Sequence, residues 1–261
     1  MAEKPARKPV DRSGLLRADA LLVQLGLANS RTQAQRWIAE GRVSLEGKII
    51  AKPSLEFPPE TRLTVEADEN DRFVSRGGLK LAGALTKTGL DVAGKCCLDV
   101  GQSTGGFTDC LLQAGARHVV GVDVGHEQLH PRLQADPRVT VFEGVNCRSL
   151  AAADLADAMP ANGFDLIVGD VSFISMTLVL PQLPNLLAAN GDLLLLIKPQ
   201  FEVGPGKLGK GGIVRDVALF AEVEDKLRKI ATHLGLTVEA WLDSPIAGGD
   251  GNREFFIWLK K

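Results

Sequence analysis

One stretch constrains the fold more than any other: Cys96 to Thr108, CCLDVGQSTGGFT. Its short apolar run (Cys96, Cys97, Leu98, Val100) has the composition of a buried strand. The run breaks at Gly101-Gln-Ser-Thr-Gly105-Gly106, and helical spacing resumes with Phe107, Cys110, Leu111 and Leu112. A strand, a glycine turn and a helix start form the nucleotide-cradling corner of an open α/β sheet. Glycines let the backbone approach a ligand, and the free N–H groups of the first helical turn face it. Gly101, Ser103, Gly105 and Gly106 are therefore candidate cofactor-loop residues. The next apolar strand, HVVGVD, ends at Asp123, where a carboxylate can accept from ribose hydroxyls. Nicotinamide and S-adenosylmethionine enzymes share this corner, so other parts of the chain must distinguish them.

The rest of the C-terminal part alternates. Strands are expected at 95–100, 118–122, 139–142, 164–168, 192–197 and 237–242, with helices at 149–158, 178–189 and 216–233 between them. Strands separated by helices imply a parallel, doubly wound sheet. The final apolar stretch, 254–259, follows a strand directly through the loop 244–253 and is expected to insert antiparallel. Before the first strand, Phe73-Val-Ser-Arg76-Gly-Gly-Leu-Lys80-Leu opens an amphipathic helix to about Leu85. Arg76 and Lys80 sit near its start, where cations oppose the helix dipole. A bound anion or a catalytic carboxylate would explain that placement, as would a solvated face.

Charge divides the 261 residues unevenly. Residues 1–62 carry 11 Lys and Arg against 7 Asp and Glu, while residues 63–261 carry 19 against 25. A basic small segment on an acidic large one suggests a polyanionic partner for the N-terminal part. Its elements read as a helix over 13–27 with Ser13 as N-cap, and a second helix opened by the capping box Ser30-x-x-Gln33 and closed at Gly41. A hairpin Val43–Leu45, Glu46-Gly47, Lys48–Ile50 and a strand 61–65 follow. This pattern, most of residues 14–66, resembles an S4 domain, an RNA-binding α+β module. The resemblance implies RNA contact through the second helix and hairpin, with Arg31, Gln35, Arg36 and Arg42 as the matching exposed positions. Arginine forks suit phosphates and bases, and a solvated helix face is the plain alternative.

Three charged residues fall at strand ends on the ligand side of the sheet: Asp170, Lys198 and Glu254. Lys80, from the helix before the first strand, can pack across the same edge. The set matches the Lys-Asp-Lys-Glu tetrad of the FtsJ-like ribose 2′-O-methyltransferases. With the S4 unit, the stretches SRGGLKL, LDVGQSTGGFTDCLL, GVDVG, GDVSFIS, KPQFEVG, GGIVRD and SPIAGGDGNREF resemble the hemolysin A-like, TlyA-type rRNA methyltransferases over nearly the whole chain. The resemblance implies a Rossmann-like S-adenosylmethionine-dependent fold of seven strands, the last antiparallel. It implies ribose methylation of ribosomal RNA at a cytidine, with rRNA or ribosomal subunits as partners. Lys198 would be the base, Lys80, Asp170 and Glu254 completing the tetrad. Gly105, Phe107, Asp123, Asn146 and Asp170 would hold the cofactor, and Arg76 would join the RNA contacts. A lysine base must be partly neutral; burial and the like charge of Lys80 favour the amine, and the carboxylates oppose it. Phe107 also has a core reading, and Asn146 could simply cap the following turn. Gln102, where the family more often has a small residue, is expected as an exposed loop position that acts through its backbone.

Other signals are weaker. His126-Glu-Gln-Leu-His130 has zinc-protease spacing, but Pro131 follows at once and leaves little helix to carry it, so no metal is expected. The glycine-rich run 204–212 reads as a lid, with Lys207, Lys210 and Arg215 offered to RNA; Phe173 is a candidate for base stacking. The four cysteines lack CxxC spacing and read as free thiols of a cytoplasmic protein. No apolar run approaches the roughly 20 residues that span a bilayer, and the N-terminus lacks a signal-peptide core. The expected organisation is an arm (1–12), an S4 domain (13–66), a linker (67–74) and a methyltransferase domain (75–261). An S4-bearing assembly factor without turnover and a membrane-active hemolysin are the competing readings. Nothing in the sequence points to a protein partner.

Overall fold

The computed structural model of the protein describes residues 14–261 apart from 29, 69, 70, 205, 249 and 250. The expected arm 1–12, the N-cap Ser13 and part of the expected linker lie outside the described residues. The chain divides into two compact units, Met1–Glu69 and Asn70–Lys261.

In the smaller unit the first helix is shorter than the sequence suggests. Leu16–Arg17 (β1) is extended and pairs antiparallel with Glu56–Phe57 (β4), so the helix α1 begins only at Ala18 and ends at Gln24. Ser30 caps the second helix, α2 (Arg31–Ala39), by accepting from the Gln33 N–H at 3.2 Å. The expected hairpin is Val43–Leu45 (β2) and Lys48–Ile49 (β3), and the expected 61–65 strand contracts to Thr64–Val65 (β5). These three strands form one antiparallel sheet in the order β3-β2-β5. Leu21, Leu22, Trp37, Ile38 and Val43 fill the core between helices and sheet.

The larger unit opens with helix α3, Arg76–Thr88, which stops where Gly89 adopts a left-handed conformation (φ 70°). Its strands are Cys96–Val100 (β6), His118–Asp123 (β7), Val139–Glu143 (β8), Phe164–Gly169 (β9), Leu187–Ile197 (β10), Thr237–Asp243 (β11) and Phe255–Lys260 (β12). They form one sheet in the order β11-β12-β10-β9-β6-β7-β8. β6 to β10 are parallel, and β12 inserts antiparallel between β10 and β11. Alternate side chains feed opposite cores. Leu98, Val100, Val120, Ile167 and Leu195 face one side; Cys97, Val119, Leu166, Val168 and Leu196 face the other. Burial on both faces is why these strands read as continuous apolar runs. Strand order reverses between β6 and β9, so a crevice opens at their carboxyl ends.

Two expected helices change character. Residues 178–189 instead form a short helix α6 (Met176–Val179), a 3₁₀ stretch Leu180–Asn185, and the start of β10. Pro181 and Pro184 supply no N–H for an α-helical ladder. The 149–158 helix is replaced by a 3₁₀ turn Cys147–Ser149 and a 3₁₀ stretch Ala152–Ala158, kinked at Ala156 (φ 44°). The expected boundary at residue 75 also moves. Phe73 is buried under Gly78, whose β-carbon would fall 2.3 Å from the ring, and the Val74 N–H donates to Asp109 at 2.8 Å. Residues 73 and 74 thus belong to the larger unit. The remaining helices are α4 (Gly106–Gln113), α5 (Pro131–Gln134), α7 (Pro199–Glu202) and α8 (Val217–His233).

Candidate active site

The glycine turn after β6 is shaped by its neighbours. Gly101 (φ 85°) has no room for a β-carbon, which would lie 2.9 Å from the Asp170 carbonyl oxygen. Ser103 takes a left-handed conformation (φ 47°), and its N–H donates to Asp123 Oδ2 at 2.7 Å. The other oxygen, Asp123 Oδ1, accepts from the Gly125 N–H at 2.7 Å. Each carboxylate oxygen keeps a further lone pair for a ligand hydroxyl. Gly105 caps α4 in a left-handed conformation, and a β-carbon on Gly106 would fall 2.2 Å from Ser75 Oγ. The starts of α3 and α4 therefore approach through small residues, Ser75, Gly77 and Gly78 against Gly106.

Gln102 contradicts its expected exposure. It is buried, and its Nε2 donates to Thr108 Oγ1 at 2.9 Å; Thr108 Oγ1 donates to Asp99 Oδ2 at 2.7 Å. The side chain, not only the backbone, supports the turn. Burial pushes the Asp99 carboxyl up to about 7, against the opposing Thr108 hydrogen bond.

A cleft of about 780 Å³ opens at the switch point. Gly101, Ser103, Asp123, Asn146 and Asp170 line it, with apolar Val124 and Leu178 on its walls. Asn146 also caps the turn after β8, accepting from the Arg148 N–H at 3.0 Å. Gly106 and Phe107 border a smaller hollow beside this cleft, together with Ser172 and Lys198. The Phe107 ring is 3 % exposed and stacks on Phe256 with centroids 6.1 Å apart, which favours its core reading.

The four tetrad residues form two ion pairs. Lys80, in the second turn of α3, meets Glu254 Oε2 at 2.6 Å, and both side chains are buried. Gly248 leaves room for that carboxylate, since a β-carbon would lie 2.5 Å from Glu254 Oε1. The carboxylate balances the cation placed unfavourably near the helix start. Lys198, just past β10, meets Asp170 Oδ1 at 2.6 Å, and its Nζ donates to Ser172 Oγ at 2.7 Å. Lys80, Lys198 and Glu254 share a cleft of about 350 Å³ with Ser172, Phe173 and Leu208. Ser172 and Phe173 line both clefts. The arrangement brings a pocket suited to a polar ligand with an apolar ring against a paired-lysine site that can handle a proton.

Buried carboxylates that sequence reasoning missed hold these parts in place. Asp109 accepts from the Val74 N–H, from Gln113 Nε2 at 3.0 Å and from Arg132 Nη2 at 2.7 Å. Glu202 accepts from Ser175 Oγ at 2.5 Å and the Met176 N–H at 2.6 Å, tying the segment after Lys198 to the segment after Asp170. Arg76 is exposed and donates to the Ala247 carbonyl at 3.0 Å. The His126–His130 segment is not helical: Glu127 has φ 54°, and His130 caps α5. The two histidines therefore lack the shared helix face that zinc spacing requires. Of the cations expected on the 204–212 lid, Lys207 is paired with Glu222 at 2.6 Å.

In the smaller unit, Arg31 and Gln35 are exposed, and Arg36 is half-buried beside Glu40. Arg31 Nη2 and Gln35 Nε2 both donate to Asp19 Oδ2, at 3.0 and 2.7 Å, and Arg17 donates to the same carboxylate. Burial, the largest single influence, pushes Asp19 up, but the hydrogen bonds from Arg17, Gln35 and Arg31 together hold it well below the usual carboxylate range. Arg42 departs from its expected exposure. It is buried against Trp37, and its Nε and Nη2 donate to the Glu66 carbonyl at 3.0 and 2.6 Å. It ties β2 to the chain after β5 and is removed from the candidate RNA contacts.

The FtsJ-like methyltransferase family model matches residues 73–261, and the S4 domain model matches residues 16–63. The chain is 44% identical over 244 residues to the 16S/23S rRNA (cytidine-2′-O)-methyltransferase TlyA of Mycobacterium tuberculosis, covering 94% of this chain and 89% of the relative. It is 37% identical to Hemolysin A of Brachyspira hyodysenteriae, covering 92% and 98%. A solved Streptococcus thermophilus protein described as a hemolysin superposes with a TM-score of 0.74 at 38% identity, covering 95% and 89%. Among the described residues no helix is long and apolar enough to cross a membrane.

Proposed function

This chain belongs to the FtsJ-like methyltransferase family, and on that premise we propose that it methylates the 2′-hydroxyl of a cytidine ribose in ribosomal RNA. S-adenosylmethionine is the donor, and the S4 domain is the targeting module. The observation that carries the reading is the convergence of the pairs Lys80–Glu254 and Lys198–Asp170 beside the glycine-turn cleft.

The large cleft fits the donor chemically. It sets Asp123, Asn146 and Asp170 opposite apolar Val124 and Leu178, which suits a ligand with ribose hydroxyls, a cationic end and a flat apolar ring. Gly101, Ser103, Asp123, Asn146 and Asp170 would hold it, with Gly105, Gly106 and Phe107 shaping the turn from behind. When bound, it supplies a methyl group on a positively charged sulfur. The chain's own residues handle the acceptor. Lys198 Nζ receives the ribose hydroxyl proton; Asp170 fixes the direction of that nitrogen. Glu254 neutralises Lys80 and keeps it at the cleft wall. Phe173, 92 % exposed at the mouth of both clefts, offers a face to a base. Arg31, Gln35, Arg36 and Arg76 are the proposed RNA contacts, and the cytoplasm, where ribosomal subunits assemble, is the proposed compartment.

The test is transfer of labelled methyl from S-adenosylmethionine to isolated ribosomal subunits, comparing wild type with Lys198→Ala. Label in an alkali-resistant dinucleotide, lost in the variant, is the expected result. Intact donor binding with no label on subunits or naked RNA would replace the enzyme with an assembly factor.

A further inference from the structure

Lys198 and Lys80 each face a carboxylate at 2.6 Å, yet their surroundings differ. Lys198 Nζ also donates to the hydroxyl of Ser172 at 2.7 Å, whereas Lys80, among the described residues, meets Glu254 and no hydroxyl. We propose that Ser172 is a positioning residue that aims Lys198 at the acceptor hydroxyl. The inference rests on Lys198 being the base.

The argument is stereochemical. A lysine nitrogen is tetrahedral, with one position taken by its own carbon. The contacts with Asp170 and Ser172 occupy two more, leaving a single direction for an incoming hydroxyl. Removing Ser172 frees the nitrogen to turn about its last carbon bond and dilutes the productive orientation. Mispositioning of a reacting group by about 1 Å can cost about a hundredfold in rate.

The local backbone is built to hold that hydroxyl. Ser172 is exposed on the six-residue loop 170–175 between β9 and α6, which borders both clefts. Upstream, the Asp170 N–H donates to the Val100 carbonyl at 3.0 Å. Downstream, buried Glu202 holds Ser175 Oγ and the Met176 N–H. Between these anchors Phe173 sits at φ 62°, a conformation that side-chain-bearing residues rarely adopt. Such strain persists only where the surroundings over-determine it. Its neighbour here is the residue that touches Lys198.

In the proposed reaction the ribose O–H bond breaks and its proton passes to Lys198 Nζ. The oxygen forms a bond to the methyl carbon as the carbon–sulfur bond breaks, and the bond pair stays on sulfur, leaving a neutral thioether. Ser172 exchanges no proton; it fixes where the receiving nitrogen stands.

Two readouts test this with Ser172→Ala and Ser172→Thr in the full chain. The first is steady-state methyl transfer to ribosomal subunits, with donor affinity measured by calorimetry. Ser172→Ala should lower kcat by about 10- to 100-fold, leave KM and donor Kd within about twofold, and be largely rescued by Thr. The second needs no turnover: the rate at which an amine-reactive reagent labels Lys198, relative to Lys80 in the same ligand-free sample, read by mass spectrometry. That ratio should change several-fold in the Ala variant and return towards wild type in the Thr variant. Wild-type kcat in Ser172→Ala, a loss confined to KM or donor Kd, or an unchanged labelling ratio would each overturn the proposal. A wild type inert towards every RNA whose labelling ratio still responds to Ser172 would support the contact and overturn the functional reading.

Discussion

Gln102 occupies the space that Gly121 leaves open. A β-carbon built on Gly121 would fall 2.0 Å from Gln102 Cδ, so strand β7 and the glycine turn fit only because one residue is large and the other has no side chain. Gly121→Ala must expel the carboxamide and break its bond to Thr108. Overpacking of this kind costs about 1–3 kcal/mol. Gln102→Ala should also destabilise, because it strips a buried hydrogen bond from Thr108. Since the two residues compete for one space, the double variant should lose less than the sum of the singles. Thermal unfolding of the four proteins checks this, and simple additivity would refute the fit.

Glu202, four residues after Lys198, should matter because it anchors the loop that follows Asp170. Its side chain is 2 % exposed, and its two oxygens serve Ser175 and Met176. Glu202→Ala leaves the buried Met176 N–H without a partner, a loss of about 1–3 kcal/mol. Glu202→Gln keeps an acceptor for that N–H and a donor for Ser175. Methyl transfer and melting temperature should both fall in the order wild type, Gln, Ala. Equal behaviour of Gln and Ala would show that charge, not the two hydrogen bonds, anchors the loop.

These residues mark the boundary of what the sequence discloses. The parallel strands were legible because burial on both faces makes each one a continuous apolar run, as in Leu193 to Ile197. Asp170, Lys198 and Glu254 stood out because charged residues at strand ends contrast with those runs; Lys80, on α3, joined them through the family resemblance, and the structure brings the four together as two ion pairs. Legibility failed where partners are distant. Glu202 serves Ser175 27 residues away, and Asp109 reaches Val74 35 residues away. No local period encodes such pairs, so a buried carboxylate reads as an ordinary helix charge. Arg42 failed similarly, since its acceptor is a backbone carbonyl 24 residues on. The stretch after Ser175 misled because its leucines keep helical spacing while Pro181 and Pro184 forbid the helix.

Asp19 organises the exposed face of the smaller unit, and its charge should be needed there. Its folded carboxyl sits below its unfolded value, so the stability it adds is fully present above the unfolded value near 4 and is lost progressively as pH falls from there towards the lower folded value. Asp19→Asn keeps one acceptor but loses the charge-assisted bonds to Arg17 and Arg31. The variant should bind an rRNA fragment more weakly at neutral pH, because its guanidinium groups are no longer held in place. It should also show a flatter decline in melting temperature between about pH 5 and 3 than wild type. Unchanged RNA affinity with a lowered melting temperature would confine Asp19 to a structural role.

Asp99 predicts the opposite sign. It is wholly buried in β6, with one oxygen bonded to Thr108, and burial raises its carboxyl to about 7. The unfolded chain releases this proton near 4, the folded chain only near 7. Between those values the folded state holds more protons, so stability should fall as pH rises through that window and level off above it. Asp99→Asn removes the titration while its amide oxygen still accepts from Thr108. The melting temperature of the variant should therefore rise relative to that of wild type as pH goes from 5 to 8. Melting curves across pH 4.5–8.5 decide the matter. A difference between the two proteins that stays constant over that range would mean that Asp99 remains ionised throughout, held by its contact with Thr108 in spite of its burial.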